Sequence, residues 1–85
     1  MSNDIGAAEA VLDLIVRSIV DDPDAVDIEA SENENALRLD VRVGDGDMGR
    51  VIGKRGRMAN AIRTVVAAAA ATDGEEEVEV EFIDQ

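Results

Sequence analysis

The chain has no cysteine and no histidine, one proline, and a single aromatic residue, Phe82. Without cysteine neither a disulfide nor a thiolate–zinc site is available, which fits a reducing compartment. Without histidine the commonest general base, pH switch and metal ligand disappear together. Three serines remain (Ser2, Ser18 and Ser31) with no base in evident reach, and no metal-ligand cluster stands out. The sequence therefore reads as non-enzymatic, with no cofactor and no metal. One aromatic side chain is too few for a platform that stacks bases on several rings. No apolar run approaches the roughly 20 residues of a membrane span, and the N-terminal segment lacks the basic-then-apolar pattern of a secretory signal. The expectation is a cytoplasmic protein that makes no membrane contact.

Positive charge is also scarce. Eight Lys+Arg stand against 20 Asp+Glu, for a net charge of −12, and Lys54 is the only lysine. The mean field of such a chain repels phosphate. Two origins of the composition stay open: a salt-rich cytoplasm, where screening shortens self-repulsion, or a GC-rich genome combined with an ordinary solvated acidic surface. Yet the cations are segregated. Residues 48–72 contain no acid and hold Arg50, Lys54, Arg55, Arg57 and Arg63, a charge of +5; the rest of the chain carries all 20 acids against Arg17, Arg38 and Arg42, or −17. A segment kept free of carboxylates in so acidic a chain points to an anionic partner, and a nucleic-acid backbone is favoured.

Eighty-five residues suit one domain, with an ordered core over about residues 5–83. Ile5, Ala8, Leu12, Ile15, Val16 and Ile19 recur at helical spacing, predicting an amphipathic helix over 5–20, capped by Asn3 or Asp4 and stopped at Asp21-Asp22-Pro23. Strict alternation then predicts two strands, one with Val26, Ile28 and Ala30 facing one way and Asp27 and Glu29 opposite, the next with Leu37, Leu39, Val41 and Val43 alternating with Arg38, Asp40 and Arg42. Residues 31–35 read as the polar turn between them. Asp47 is placed to cap a short helix ending near Ile52, and a longer helix is expected over 57–71, its buried stripe being Met58, Ile62, Val65, Val66 and Ala69. Val78, Val80 and Phe82 alternate with Glu77, Glu79 and Glu81 in a third strand. The result is an α+β fold of order αββααβ, a three-stranded sheet with the helices packed on one face.

Between the two consecutive helices lies Val51-Ile52-Gly53-Lys54-Arg55-Gly56-Arg57. Glycines there let backbone amides approach phosphate oxygens, since neither carries a Cβ. This motif, its two central cations and the element order resemble a type II KH domain. The run from Gly49 to Arg57, its continuation Ala61-Ile62-Arg63-Thr64-Val65-Val66, and the free-standing size are most similar to the KhpA family of small bacterial single-KH proteins. The resemblance implies single-stranded RNA clamped over about four nucleotides. Gly53 and Gly56 would allow close approach, Lys54 and Arg55 would meet phosphates, and Arg57 would open a helix whose dipole favours the anion. Val51, Ile52 and Ile62 would line an apolar groove, or simply pack the core. Arg50, Asn60 and Arg63 complete the expected RNA-binding set. The family pattern often has a larger aliphatic residue where this chain has Ala59, which implies a shallower groove and weak sequence selectivity.

By the same resemblance the protein would act as an RNA chaperone or post-transcriptional regulator linked to cell shape and cell-wall synthesis. It would form a homodimer, or pair with a larger KH-containing protein of the Jag type. Two other readings remain: a protein–protein module with weak or no nucleic-acid binding, and a single-stranded DNA binder. Gly44-x-Gly46-x-x-Gly49 matches a dinucleotide fingerprint only formally, because Asp45 and Asp47 would face the pyrophosphate and no ribose-binding acid follows. The five alanines at 67–71 read as a helix end lying close against the sheet, or as a face for a partner helix.

Overall fold

The structure is a computed structural model that describes residues 6–34, 36–75 and 77–83. Helix α1 (Ala7–Ile19) leads to a single 3-10 turn at Pro23–Ala25, then to strands β1 (Asp27–Asn33) and β2 (Ala36–Arg42). A short helix α2 (Met48–Ile52), a 3-10 turn at Lys54–Gly56, helix α3 (Arg57–Thr72) and strand β3 (Glu77–Phe82) complete the chain. The sheet order is β1-β2-β3, with β1 antiparallel and β3 parallel to β2. Parallel pairing of β2 with β3 requires a crossover, and α2 and α3 supply it. The αββααβ order and the one-sided helix layer are those expected of a type II KH domain.

One face of each strand builds the core. Leu39 and Val41 of β2 and Val80 of β3 meet Leu12 and Val16 of α1, Val51 of α2 and Ile62 and Val66 of α3. Leu12, Val16, Leu39, Val41, Val51 and Val66 are fully enclosed, and burial of each such side chain contributes about 1.5–3 kcal/mol. The opposite sheet face is left to charge. Arg38, Asp40 and Arg42 point there, paired in register with Ser31, Glu29 and Asp27 on one side and, for Arg38 and Asp40, with Glu79 and Glu81 on the other.

Three local expectations are corrected. Ser31, Glu32 and Asn33 belong to β1, pairing with Arg38, Leu37 and Ala36, so the turn begins only at Glu34. Glu34 sits there at φ +58. Ala30 shares the core face with its partner Leu39 but stays exposed, lining an open depression with Ala8 and Glu9 of α1. Helix α3 buries Ala59, Ile62, Val66 and Ala70 rather than a stripe through Met58, Val65 and Ala69. Met58 and Val65 are exposed, and Ala69 is half-buried. A helix this rich in small apolar residues supports two neighbouring phases, and the one realised points alanines into the tightest contacts. Of the five alanines only Ala70 is buried, while Ala67, Ala68 and Ala71 face solvent.

The third correction concerns Asp47. It precedes α2 but makes no side-chain cap. Its carboxylate, the one buried charged group among the described residues, accepts instead from the backbone N–H of Asp21 (3.1 Å) and of Asp22 (3.1 Å). Asp47 therefore ties the exit of α1 to the entry of α2. The start of α1 is held by a similar device. Its N-cap is Gly6, and Ala7 N–H donates to Asp73 Oδ2 at 2.7 Å, just past the end of α3. The expected caps Asn3 and Asp4, and Ile5, lie outside the described residues.

Candidate nucleic-acid interface

Helix α2 ends at Gly53, whose N–H donates to Gly49 O at 2.9 Å. Gly53 has φ +75 and ψ 177, a region essentially reserved for glycine. A Cβ there would stand 2.6 Å from Met58 Cβ and 2.9 Å from Met58 N. Two independent constraints thus demand glycine at 53. The chain then turns through Lys54, Arg55 and Gly56, closed by Gly56 N–H to Gly53 O at 3.2 Å. Arg55 is left-handed at φ +58 and ψ 27, and Gly56 at φ +74 and ψ 11. A Cβ on Gly56 would meet nothing within 4 Å, so only backbone conformation asks for glycine there. Holding Arg55 left-handed costs about 1–2 kcal/mol, and its side chain ends up exposed beside that of Lys54.

The five cations of the acid-free window fall into two groups. Lys54, Arg55 and Arg57 are exposed and make no ion pair or side-chain hydrogen bond among the described residues. The other two are engaged. Arg50 Nη2 is 3.0 Å from Asp21 Oδ2, and its Nε is 3.4 Å from Asp47 Oδ1. Arg63 donates from Nε to the Val80 carbonyl at 3.2 Å and from Nη1 to Asn60 Oδ1 at 3.3 Å. Its guanidinium carbon also lies 5.4 Å from the centroid of the Phe82 ring.

The apolar members of the expected set separate as well. Ile52 is half-buried beside the loop. Val51 and Ile62 are 0% and 2% exposed and belong to the core. They support the loop from below and do not line a groove, because the α2–α3 junction packs down onto the sheet through these two side chains. Asn60 is exposed, one turn into α3, and its side chain positions Arg63. Helix α2, which leads into the loop, touches both α3 and β3, and β3 is an edge strand of the sheet. Two partners in this arrangement were not foreseen. The Phe82 ring under Arg63 and the Asp21 carboxylate on Arg50 are tertiary pairings, and no spacing in the sequence signals them.

Charge is polarised along α3, whose 16 residues span about 24 Å. The loop cations sit at its start. A depression near its far end is lined by Glu9, Glu32, Asp73 and Glu75, and four carboxylates make it no place for a phosphate. Among the described residues no group of three or more Asp, Glu, His or Cys could hold a metal ion, and none of the helices is long and apolar enough to cross a membrane.

The family described as "KhpA/KhpB, KH domain" matches residues 9–82. RNA-binding protein KhpA of Clostridium acetobutylicum is 45% identical over 73 residues, 86% of this chain and 96% of that one. The protein of the same name in Borreliella burgdorferi is 40% identical over 74 residues, 87% and 89% of the two chains. That of Streptomyces coelicolor is 45% identical over 60 residues, 71% and 76%. No solved structure matches the chain. With its α+β architecture, its glycine-bracketed loop between α2 and α3, and a family match that covers nearly the whole length, the chain belongs to the KhpA/KhpB KH-domain family.

Proposed function

We propose that this chain is a single KH domain over residues 1–85 that binds single-stranded RNA through the 53–56 loop and catalyses no reaction. The observation that carries the reading is the trio Lys54, Arg55 and Arg57, exposed and, among the described residues, unpaired around two positive-φ glycines in a chain of net charge −12. Three free cations on a loop whose backbone lies open match the needs of a sugar–phosphate chain. Gly53, Lys54, Arg55, Gly56 and Arg57 make the direct contacts; Ile52, Asn60, Arg50 and Arg63 flank them, and Val51 and Ile62 hold the loop in place. The relatives' name, RNA-binding protein, supports RNA as the polymer. By family resemblance the protein works in the cytoplasm as an RNA chaperone or post-transcriptional regulator tied to cell shape and cell-wall synthesis.

A second feature favours pairing. Met58, Ala61, Val65 and Ala68 are all exposed, and their spacing aligns them as one stripe along α3. Such a stripe fits a second copy of this chain or the KH domain of a larger Jag-type protein, and pairing of two weak loops raises apparent affinity. Titration of labelled single-stranded RNA, single-stranded DNA and duplex against the wild type and a Lys54→Asp/Arg55→Asp variant tests the primary reading. RNA binding is expected to weaken with salt and to collapse in the variant while circular dichroism stays native. Equal binding by both proteins would remove the loop from the mechanism. Equal affinity for DNA would make the protein a general single-strand binder. A concentration-dependent dimer that binds no nucleic acid would make it an interaction module.

A further inference from the structure

The sheet has two edges, and they differ. On β3 the Val80 carbonyl is taken by Arg63 Nε at 3.2 Å. On β1 no side chain bonds the backbone of Asp27–Asn33 among the described residues; the bonds from Arg17 stop at the carbonyls of Pro23 and Val26. Six of the seven β1 residues are exposed. An edge strand in that state offers a row of N–H and C=O groups to any chain that can lie beside it. The flank of α1 forms the other wall of a groove along this edge. Glu9, Ala10 and Asp13 face Asp27 and Ile28 across one depression, and Glu9 also borders a second, with Ala30, Glu32 and Glu75. Apart from Arg17, which is already bonded to Asp13 at 2.8 Å, the charged residues here are acids. At the far end Glu75 is held above its ordinary carboxylic range, first by a hydrogen bond with Glu32, then by desolvation and by the charges of Glu32 and Asp73, a crowding that a cation would relieve. Like charge keeps a second copy of this edge away and repels a phosphate chain. An extended segment that carries cations meets neither obstacle.

We propose that the groove between α1 and the free edge of β1 docks a basic, extended segment of another protein, which adds to the sheet as a further strand. Ile28 lies on the core face of β1 and Asp27 and Glu29 on the outer one. Period-two alternation therefore sets the segment's aliphatic side chains against Ile28 and Ala30 and its cations beside Asp27 and Glu29. Asp27 makes no ion pair among the described residues, whereas Glu29 already holds Arg42 at 3.0 Å, so Asp27 is the acid best placed to receive a cation. The 53–56 loop follows α2, which touches β3 at the opposite edge of the sheet. The partner segment and a bound RNA thus occupy different edges, and the proposal does not depend on the RNA-binding reading.

The probe is the end-blocked peptide Lys-Val-Lys-Val-Lys-Val-Lys, matched in length to β1, and its control is the same peptide N-methylated at every amide. The control keeps the charge and the side chains and cannot donate strand hydrogen bonds. Added to isotope-labelled wild type, the peptide is expected to shift the amide resonances of residues 27–33. It is expected to bind about tenfold tighter than the control, the factor for two or three hydrogen bonds. Asp27→Lys, checked for native circular dichroism, is expected to weaken the peptide by about fivefold, the upper range for an exposed charge pair. The comparison of peptide and control on the wild type carries the test alone if that variant fails to fold. The Lys54→Asp/Arg55→Asp protein is expected to bind the peptide no more weakly than wild type, whether or not it has lost RNA. Equal binding of peptide and control would overturn the proposal, as would no binding or shifts that leave residues 27–33 unmoved. Shifts in 27–33 that appear with protein concentration alone would give the edge to a second copy of this chain, and shifts there on adding single-stranded RNA would give it to RNA; either overturns the proposal.

Discussion

Asp21 Oδ2 and Arg50 Nη2, 29 positions apart in sequence, stand 3.0 Å from each other at the surface beside the loop. The contact neutralises one of the window's five cations before any ligand arrives. Arg50 is half-exposed and Asp21 largely so, so the pair adds little to stability, and its main effect falls on the local field. With Arg63 also tied down, by the Val80 carbonyl and Asn60, three cations are left for phosphates. For a single strand the logarithm of affinity falls with that of salt at about 0.7 per phosphate neutralised, giving a slope near −2. Asp21→Asn removes the closer of Arg50's two carboxylate partners, leaving Asp47 Oδ1 on Nε at 3.4 Å and the Nη2 end available for a fourth contact. Tighter RNA binding at low salt and a slope steepened to about −2.8 are expected, read by fluorescence anisotropy across a salt series. An unchanged slope would mean that Arg50 does not reach the strand.

Asp47 gives a prediction about stability. Both of its carboxylate oxygens accept backbone amides, of Asp21 and Asp22, in a buried setting. Asp47→Ala leaves those two donors without their partner, and each orphaned buried group costs about 1–3 kcal/mol. A loss of about 2–4 kcal/mol is expected in urea denaturation, allowing for water reaching one of the amides. Asp47→Asn keeps one acceptor oxygen and is expected to lose about half as much. A helix cap alone would give about 1 kcal/mol for alanine, so the size of the loss separates the two roles.

The two loop glycines differ in what they tolerate. Gly53→Ala meets a forbidding backbone angle and a clash with Met58 Cβ and N at 2.6 and 2.9 Å. Gly56→Ala meets only the angle, in open space, at a cost of about 1–2 kcal/mol. Gly53→Ala is therefore expected to destabilise the domain more and to displace the start of α3. Gly56→Asn, with a side chain that accepts left-handed backbone, is expected to fold nearly as well as wild type. Thermal melts and amide chemical shifts of α3 would show both differences.

How much of this was legible beforehand follows from the range of each interaction. Alternation in β2 and β3 and the helical spacing of α1 are local signals, and the elements appear where those signals lie. The glycine-bracketed cations were equally plain, since charge segregation needs no tertiary knowledge. The phase of α3 was not legible, because Ala59 and Ala70 carry as little hydrophobic signal as the exposed Ala61 and Ala68 beside them. Nor was the role of Asp47. A capping residue and an acceptor for a distant loop look alike until the exit of α1 is brought against it. Arg50 and Arg63 read as two more free cations for the same reason.

The remaining prediction concerns acid. Glu75 is held above its ordinary carboxylic range, first by a hydrogen bond shared with Glu32 across the depression at the end of α3, then by desolvation and by the charges of Glu32 and Asp73. A carboxyl whose folded value is raised contributes stability that is fully present below its unfolded pKa and is lost as pH climbs through the folded one. Here the loss comes as Glu75 ionises beside the charges of Glu32 and Asp73. Stability is thus expected to rise as pH drops from 7 into the upper carboxylate range. Glu75→Gln removes the repulsion at every pH while keeping a hydrogen-bonding side chain. Its thermal midpoint at pH 7 should exceed that of wild type, and its gain on acidification should be smaller. Added salt should narrow the difference between the two proteins at pH 7, since exposed charges are the ones screening reaches. Parallel pH profiles for variant and wild type would show that the neighbouring carboxylates do not hold Glu75 protonated in the folded protein.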